Sequence, residues 1–278
     1  MSPRTGTATD RRQRNGQRLV NGVAALGLVY VFLPIAVIVI FSFNDPLGKF
    51  NIEWQGFTLD NWANPFAEKE LTSALWLSLR IALVSTACAT VLGALIAIAL
   101  SRYDFRGRSG VNLFLVLPLT SPEIVLGSSL ATLFIDRGVD FGFTTIVIAH
   151  IMFQVSFVAV TVRARIRGFD WTLEQAALDL GATPMRAFWR ITFPLILPGI
   201  AAAALLSFAL SIDDFIITFF NAGSLLTFPL QIFGASRVKI PPQINVLATM
   251  LLLVSVALMV AGAAIAARQR RRLEGSSS

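Results

Sequence analysis

Three carboxylates stand inside apolar stretches of this 278-residue chain: Glu123 in SPEIVLG, and the adjacent Asp213 and Asp214 in ALSIDDFIITFF. An ionised aspartate near the centre of a membrane helix costs about 2.5–3.5 kcal/mol on insertion scales. Such groups usually face a bundle interior or an aqueous cavity, and they mark function. A carboxylate in a low-dielectric cavity attracts a cation more strongly than it would in water. Asp213 and Asp214 are neighbours, and neighbours on a helix do not share a face. One is therefore expected to face a pathway while the other contacts a neighbouring helix. Pro118 and Pro122 loosen the chain beside Glu123 and free backbone carbonyls, an arrangement suited to a transport route. No Lys or Arg inside an apolar run is an obvious partner for the trio, Arg80 being the only candidate. The competing reading is that one or two of the acids are protonated or hydrogen-bonded between helices and serve packing alone.

Other chemistry is sparse. One cysteine, Cys88, and one histidine, His150, exclude an internal disulfide and a zinc constellation. Both lie in apolar runs and are expected to pack as ordinary helix residues. No metal site and no catalytic residue is expected. The chain has no G-x-x-x-x-G-K-[ST] run, so it cannot hold a nucleotide by a P-loop.

The elements that carry these acids are membrane spans. The chain is 55% hydrophobic and 14% charged, where a soluble domain has about 25% charged residues. Its mean hydropathy is +0.70. A spanning helix needs about 20 apolar residues. Six runs qualify: roughly Leu19–Phe43, Thr72–Leu100, Val111–Ile135, Phe143–Val162, Ile191–Phe220 and Ile244–Ala267. Pro194 and Pro198 suggest that the fifth span proper starts near Pro198. The first run is too long for a signal-peptide core and is read as an uncleaved span. The fold class expected is an all-α integral membrane protein of six transmembrane helices.

The net charge of +7 sorts by loop. Arg4, Arg11, Arg12, Arg14 and Arg18 precede the first run, and Arg102, Arg106 and Arg108 follow the second. Arg163, Arg165, Arg167, Arg186 and Arg190 follow the fourth, and Arg268, Arg270, Arg271 and Arg272 follow the sixth. These all fall on one side if the spans alternate, so the positive-inside rule puts both termini in the cytoplasm. Topology explains the basic balance, and no nucleic-acid partner is expected. The organisation expected is a cytoplasmic tail over 1–18, a transmembrane domain over 19–267 and a tail over 268–278. The domain's core is about 72–267, with a cytoplasmic loop at 163–190. The outer segment Asn44–Leu71 carries Trp54, Phe57, Trp62 and Phe66, and suits either an interfacial helix or an ordinary loop.

The loop after the fourth run has its own design. Thr172 and Gln175 have capping-box spacing. A helix through LEQAALDL then stops at Gly181, a C-terminal glycine. Pro184 suits the first turn of a second short helix, PMRAFWRI. Ala176, Ala177 and Gly181 keep one face small, so another protein's surface can approach. The plain alternative is a loop packed on its own bundle.

This run resembles the EAA loop of permease subunits in type I ABC importers: Glu-Ala-Ala, three residues, Gly, nine residues, Ile. Ala176, Ala177, Gly181 and Ile191 match at that spacing. Gln175 occupies the glutamate slot with Glu174 just before it, which leaves open whether Glu174 takes over the charge contact or Gln175 serves with a neutral one. The resemblance implies a MetI-like transmembrane domain and a coupling helix that docks into a groove on a separate ATPase. Glu174, Gln175, Ala176, Ala177, Asp179 and Gly181 would carry that docking. It also implies that this chain is not itself an enzyme. Its partners would be a second homologous permease, two copies of an ABC ATPase that hold ATP and Mg, an extracytoplasmic binding protein and the lipid bilayer of the cytoplasmic membrane.

LSIDDFIITFF, the later PLQIFGASRVKIPPQINVLATMLLL and SPEIVLG are similar to permeases for the polyamines spermidine and putrescine, particularly the second permease of those heterodimers. On that resemblance Asp213, Asp214 and Glu123 would line a route for a polycation, crossed by alternating access. The alternatives are a permease of the same build for ferric iron, thiamine or another small solute, and a self-sufficient secondary carrier or channel.

Overall fold

The computed structural model describes residues 8–274, with side chains described for 17–257 and 260. Arg4, the closing residues 275–278 and the side chains of the remaining terminal-tail arginines, Arg18 excepted, lie outside that set. The helices are α1 (Ala8–Phe41), α2 (Asp60–Ala63), α3 (Lys69–Arg102), α4 (Arg108–Thr120), α5 (Glu123–Asp136) and α6 (Phe143–Ile166). They continue as α7 (Thr172–Asp179), α8 (Pro184–Ala187), α9 (Phe193–Ile212), α10 (Ile216–Asn221), α11 (Phe228–Ala235) and α12 (Pro242–Glu274), with a π-helical turn at Phe188–Thr192. Among the described residues there is no β-strand, only isolated bridges at Asn44–Phe57 and Phe50–Ile240.

Among the described residues four helices are long and apolar enough to cross a membrane: Gln17–Phe41, Lys69–Arg102, Phe143–Ile166 and Pro184–Ile212. The third predicted run is not one straight helix. It is the pair α4 and α5, bent by 109° at the break. The cause is local. Pro122 has no N–H to give, and a proline disfavours the helical region for the residue before it. Ser121 accordingly sits at φ −77°, ψ 140°. The sixth run lies in α12, Pro242–Glu274, whose described side chains include the apolar stretch Pro242–Ala257.

The fifth run also departs from expectation at both ends. Its helix does not start near Pro198 but runs unbroken from Pro184. The π turn just before Pro194 absorbs the missing donor, since the Phe193 N–H reaches back five residues to the Phe188 carbonyl. At the other end the helix stops at Ile212 rather than Phe220, and chain restarts as helix only at Ile216.

The described residues divide into two compact units: those up to Glu68 with Val238–Ala267, and Lys69–Arg237 with those from Arg268 on. In the first, the outer segment is knotted by asparagines. The Asn44 side-chain amide donates to Asn51 Oδ1 at 2.6 Å and to the Glu53 carbonyl at 2.7 Å. Asn51 in turn donates to the Phe41 carbonyl at 2.8 Å. Phe43 stacks on both Phe57 and Trp62. The segment is therefore an ordered loop that holds one short helical turn, α2.

The second unit is built on α3, α6 and α9. Ala89 and Ala97 of α3 meet Val158, Val162 and Ile166 of α6 and Ile196 and Ala203 of α9. Between membrane helices there is no water-driven hydrophobic gain, so small residues that let backbones approach supply the packing. Cys88, expected to pack, instead lies exposed on α3.

Candidate functional site

The loop helix α7 begins differently from its predicted box. Asp170, two residues upstream of Thr172, makes the cap: its Oδ1 accepts the Thr172 N–H at 3.0 Å and the Thr172 hydroxyl at 2.7 Å. The Thr172 hydroxyl and N–H hold the Asp170 carboxyl below the usual carboxylate range. The far end is a Schellman turn. The Gly181 N–H donates to the Leu178 carbonyl at 2.9 Å and the Ala182 N–H to the Ala177 carbonyl at 3.0 Å. Gly181 sits at φ +84° with open space where a Cβ would be, so backbone conformation alone requires glycine there. Pro184 opens α8 and Thr183 caps it.

The structure separates the residues given a docking role. Gln175, Ala176, Asp179 and Gly181 are exposed and Ala177 is half-buried. Glu174 is turned inward, 3% exposed. It pairs with Arg102 at the end of α3 and accepts the Thr192 hydroxyl at 2.6 Å. The Arg102 guanidinium also lies over the rings of Tyr103 and Trp171. Glu174 thus bolts α7 to the end of α3 and to the π turn, and leaves Gln175 as the exposed residue of the pair. Leu180 is 89% exposed and Met185 68%, an apolar tip that a sequence reading of the small face passes over.

The acids come together where the start of α5 meets the break between α9 and α10. α5 packs on α10: a Cβ on Gly127 would stand 3.2 Å from Ile217 Cα, and the Asn221 amide donates to the Gly127 carbonyl at 3.2 Å. Glu123 opens α5 one turn before Gly127, and Asp213 and Asp214 lie about one turn before Ile217. Glu123 is consequently within electrostatic reach of both aspartates.

The break after Ile212 splits the adjacent pair. The Asp214 side chain is 6% exposed. Its Oδ2 accepts the Thr218 N–H at 2.7 Å and the Thr218 hydroxyl at 2.6 Å, and stands 3.3 Å from His150 Nε2. Asp213 and Glu123 are exposed, and among the described residues neither forms an ion pair. Two expectations change here. The acids are not all without a basic partner, because His150 faces Asp214. Arg80 is not that partner: it is exposed on α3 beside Trp76. His150 is buried as expected, yet it is also a hydrogen-bonding centre. The signal for it was present, since the chain's one histidine shares a helix face with Gln154 four residues on, as Ser207 does with Ser211 on α9.

Residues 89–275 match the family described as binding-protein-dependent transport system inner membrane component. The chain is 38% identical over 252 residues to the spermidine/putrescine transport system permease protein PotC of Escherichia coli strain K12, covering 90% of this chain and 95% of that one. It is 36% identical over 238 residues to the putrescine transport system permease protein PotI of the same strain, covering 83% and 84%. Among solved structures it resembles a bacterial ABC transporter involved in the import of the acidic polysaccharide alginate, with a TM-score of 0.65 at 15% identity over 94% of this chain and 99% of that one. It also resembles an amino acid ABC transporter, with a TM-score of 0.57 at 17% identity over 75% and 98%. At such identities these structures speak for the fold alone.

Proposed function

The chain belongs to the binding-protein-dependent transport system inner membrane component family, and on that premise we propose that it is one transmembrane permease subunit of an ATP-driven importer for a polyamine. The observation that carries the cargo is the junction of α5 and α10. It holds two exposed carboxylates, Glu123 and Asp213, which form no ion pair among the described residues, beside a third that is already engaged. A chain of ammonium groups complements that arrangement, and a neutral or anionic solute does not. The likeness to PotC and PotI supports the same cargo.

In this reading the six runs cross the cytoplasmic membrane with both termini inside. A second permease, two ATPase subunits with their ATP and Mg, and an extracytoplasmic binding protein complete the assembly. Gln175, Ala176, Ala177, Asp179 and Gly181 dock on the ATPase, while Glu174 holds the docking helix to the bundle.

The helix from Pro184 to Ile212 supports a mechanism of alternating access. It is 29 residues long, about 43 Å at 1.5 Å per residue. The docking elbow is at one end and the acid pair at the other. Closure of the ATPase subunits moves the elbow, and the continuous helix carries that motion to Asp213. The test is uptake into proteoliposomes holding the whole assembly, with loaded binding protein outside. Uptake of spermidine or putrescine that falls in Asp213→Asn and Glu123→Gln is expected. An intact, ATP-hydrolysing assembly that moves neither cation would overturn the polyamine reading.

A further inference from the structure

A buried polar chain crosses the second unit from α3 to α10. The Ser207 hydroxyl donates to Gln154 Oε1 at 2.9 Å. The Gln154 amide donates to Ser85 Oγ at 3.4 Å, and Ser85 Oγ lies 3.2 Å from Ser211 Oγ. Ser211 Oγ is 2.7 Å from His150 Nδ1, and His150 Nε2 is 2.9 Å from Thr218 Oγ1. All six side chains are buried, none more than 4% exposed. Buried polar groups that are fully satisfied specify one arrangement, and unsatisfied ones are costly.

The hydrogen count fixes one proton. A threonine hydroxyl has a single hydrogen. Asp214 Oδ2 already accepts the Thr218 N–H at 2.7 Å, as a carboxylate does; with Asp214 ionised, Thr218 gives its hydrogen to that same oxygen at 2.6 Å, and the Thr218 oxygen can only accept from His150. His150 Nε2 must then carry a proton, aimed at Thr218 and at Asp214 3.3 Å away. The imidazole is held from behind by Ser211, the next-to-last residue of α9, and it holds Thr218 in α10. It therefore spans the break at which Asp213 turns outward.

We propose that His150 is a positioning residue for the acid site: donating from Nε2, it fixes Thr218 and Asp214 across the break between α9 and α10, and so sets where the exposed Asp213 stands relative to Glu123. It does not touch cargo. It sets the spacing of the carboxylates that do, and hence which cation the site favours. The cargo half of this rests on the polyamine reading above; the protonation of Nε2 does not.

The experiment has two arms on the whole assembly. In the first, spermidine and putrescine uptake are measured at saturating loaded binding protein, so that the binding protein's own affinity does not enter. A merely structural histidine would lower both rates alike. In His150→Ala the ratio of the two rates is expected to shift about fivefold, the lower end for one unmatched buried hydrogen bond. His150→Gln, which keeps a donor, should restore the ratio, and His150→Ala should add no shift in an Asp214→Asn background. An unchanged ratio in His150→Ala, with both rates reduced equally, overturns the proposal. In the second arm, histidine ring nitrogens are labelled with 15N, and the resonance missing from His150→Gln identifies this side chain. A protonated Nε2 is expected, and a bare Nε2 overturns the proposal whatever the cargo proves to be. Failure of the wild-type assembly to move either cation would sink the polyamine reading and leave this arm decisive.

Discussion

Thr192, in the π turn, donates its hydroxyl to Glu174 Oε2 at 2.6 Å, and Arg102 holds the other carboxylate oxygen. Three elements therefore meet on one buried carboxylate. Removing one partner of a buried ion pair costs roughly 3–5 kcal/mol, and this pair falls toward the lower end because Arg102 keeps partial access to water. Glu174→Gln should leave the ATPase bound yet lower cargo moved per ATP hydrolysed. Thr192→Val, which deletes one hydrogen bond, should do the same more weakly, at about 1–3 kcal/mol. Stoichiometry of uptake against phosphate release measures both. Wild-type stoichiometry in Glu174→Gln would show that the pair transmits nothing.

The elbow's face should separate docking from folding. Ala176→Trp adds bulk at an exposed position without touching the backbone. It is expected to abolish copurification of the ATPase while the thermal midpoint of the bundle holds. At Gly181 the effect should follow backbone conformation, not size, because φ is +84° in open space. Gly181→Asn should then retain more ATPase than Gly181→Val, since asparagine tolerates the left-handed region. Equal losses in these two would argue that bulk, not backbone, governs position 181.

The adjacent aspartates should behave as opposites. Asp213→Asn keeps size and removes an exposed charge, so uptake is expected to fall with the thermal midpoint unchanged. Asp214→Ala leaves the Thr218 N–H and hydroxyl without their acceptor, and is expected to cost about 1–3 kcal/mol of stability. Thermal unfolding of the purified assembly, run beside the uptake assay, checks both. A destabilised Asp213→Asn with a stable Asp214→Ala would reverse the assignment.

Asp170 gives a pH dependence with a definite sign. Its hydrogen bonds to Thr172 lower its folded pKa, so its contribution is present above the unfolded value and is lost as pH falls through the folded one. The unfolded value is about 3.9. Amide-exchange protection at Thr172–Glu174 should therefore hold near neutrality and decline only below about pH 4. Asp170→Asn should flatten that decline, and an equal decline in the variant would remove Asp170 from the account.

Topology is open to direct labelling. With the exposed Cys88 replaced by alanine, single cysteines at Asp60, Asp104, Asp136 and Ser236 lie at described, exposed loops or helix ends. Membrane-impermeant thiol reagents on whole cells should reach positions 60, 136 and 236 and spare 104. Labelling at 104 with protection at 60 would invert the orientation.

Much of this protein was legible as sequence because its signals are local. Apolar runs mark helices wherever the surroundings are lipid. Pro184 and Gly181 punctuate the elbow through backbone conformation alone, and the Ala-Ala-x-x-x-Gly spacing marks the loop. The acids at 123, 213 and 214 announced themselves because charge in an apolar run is costly. Tertiary structure decided what each of them does. Whether Asp213 or Asp214 faces outward depends on the break after Ile212, and that break is held by His150 and Thr218, contacts made with residues 4 to 68 positions away. Whether Glu174 meets a partner or its own bundle depends on Arg102, 72 residues earlier in the chain, and on Thr192. Spacing along one helix places residues on a face. Only the packing of several helices decides which face is buried, and a buried carboxylate takes whatever donors that packing delivers.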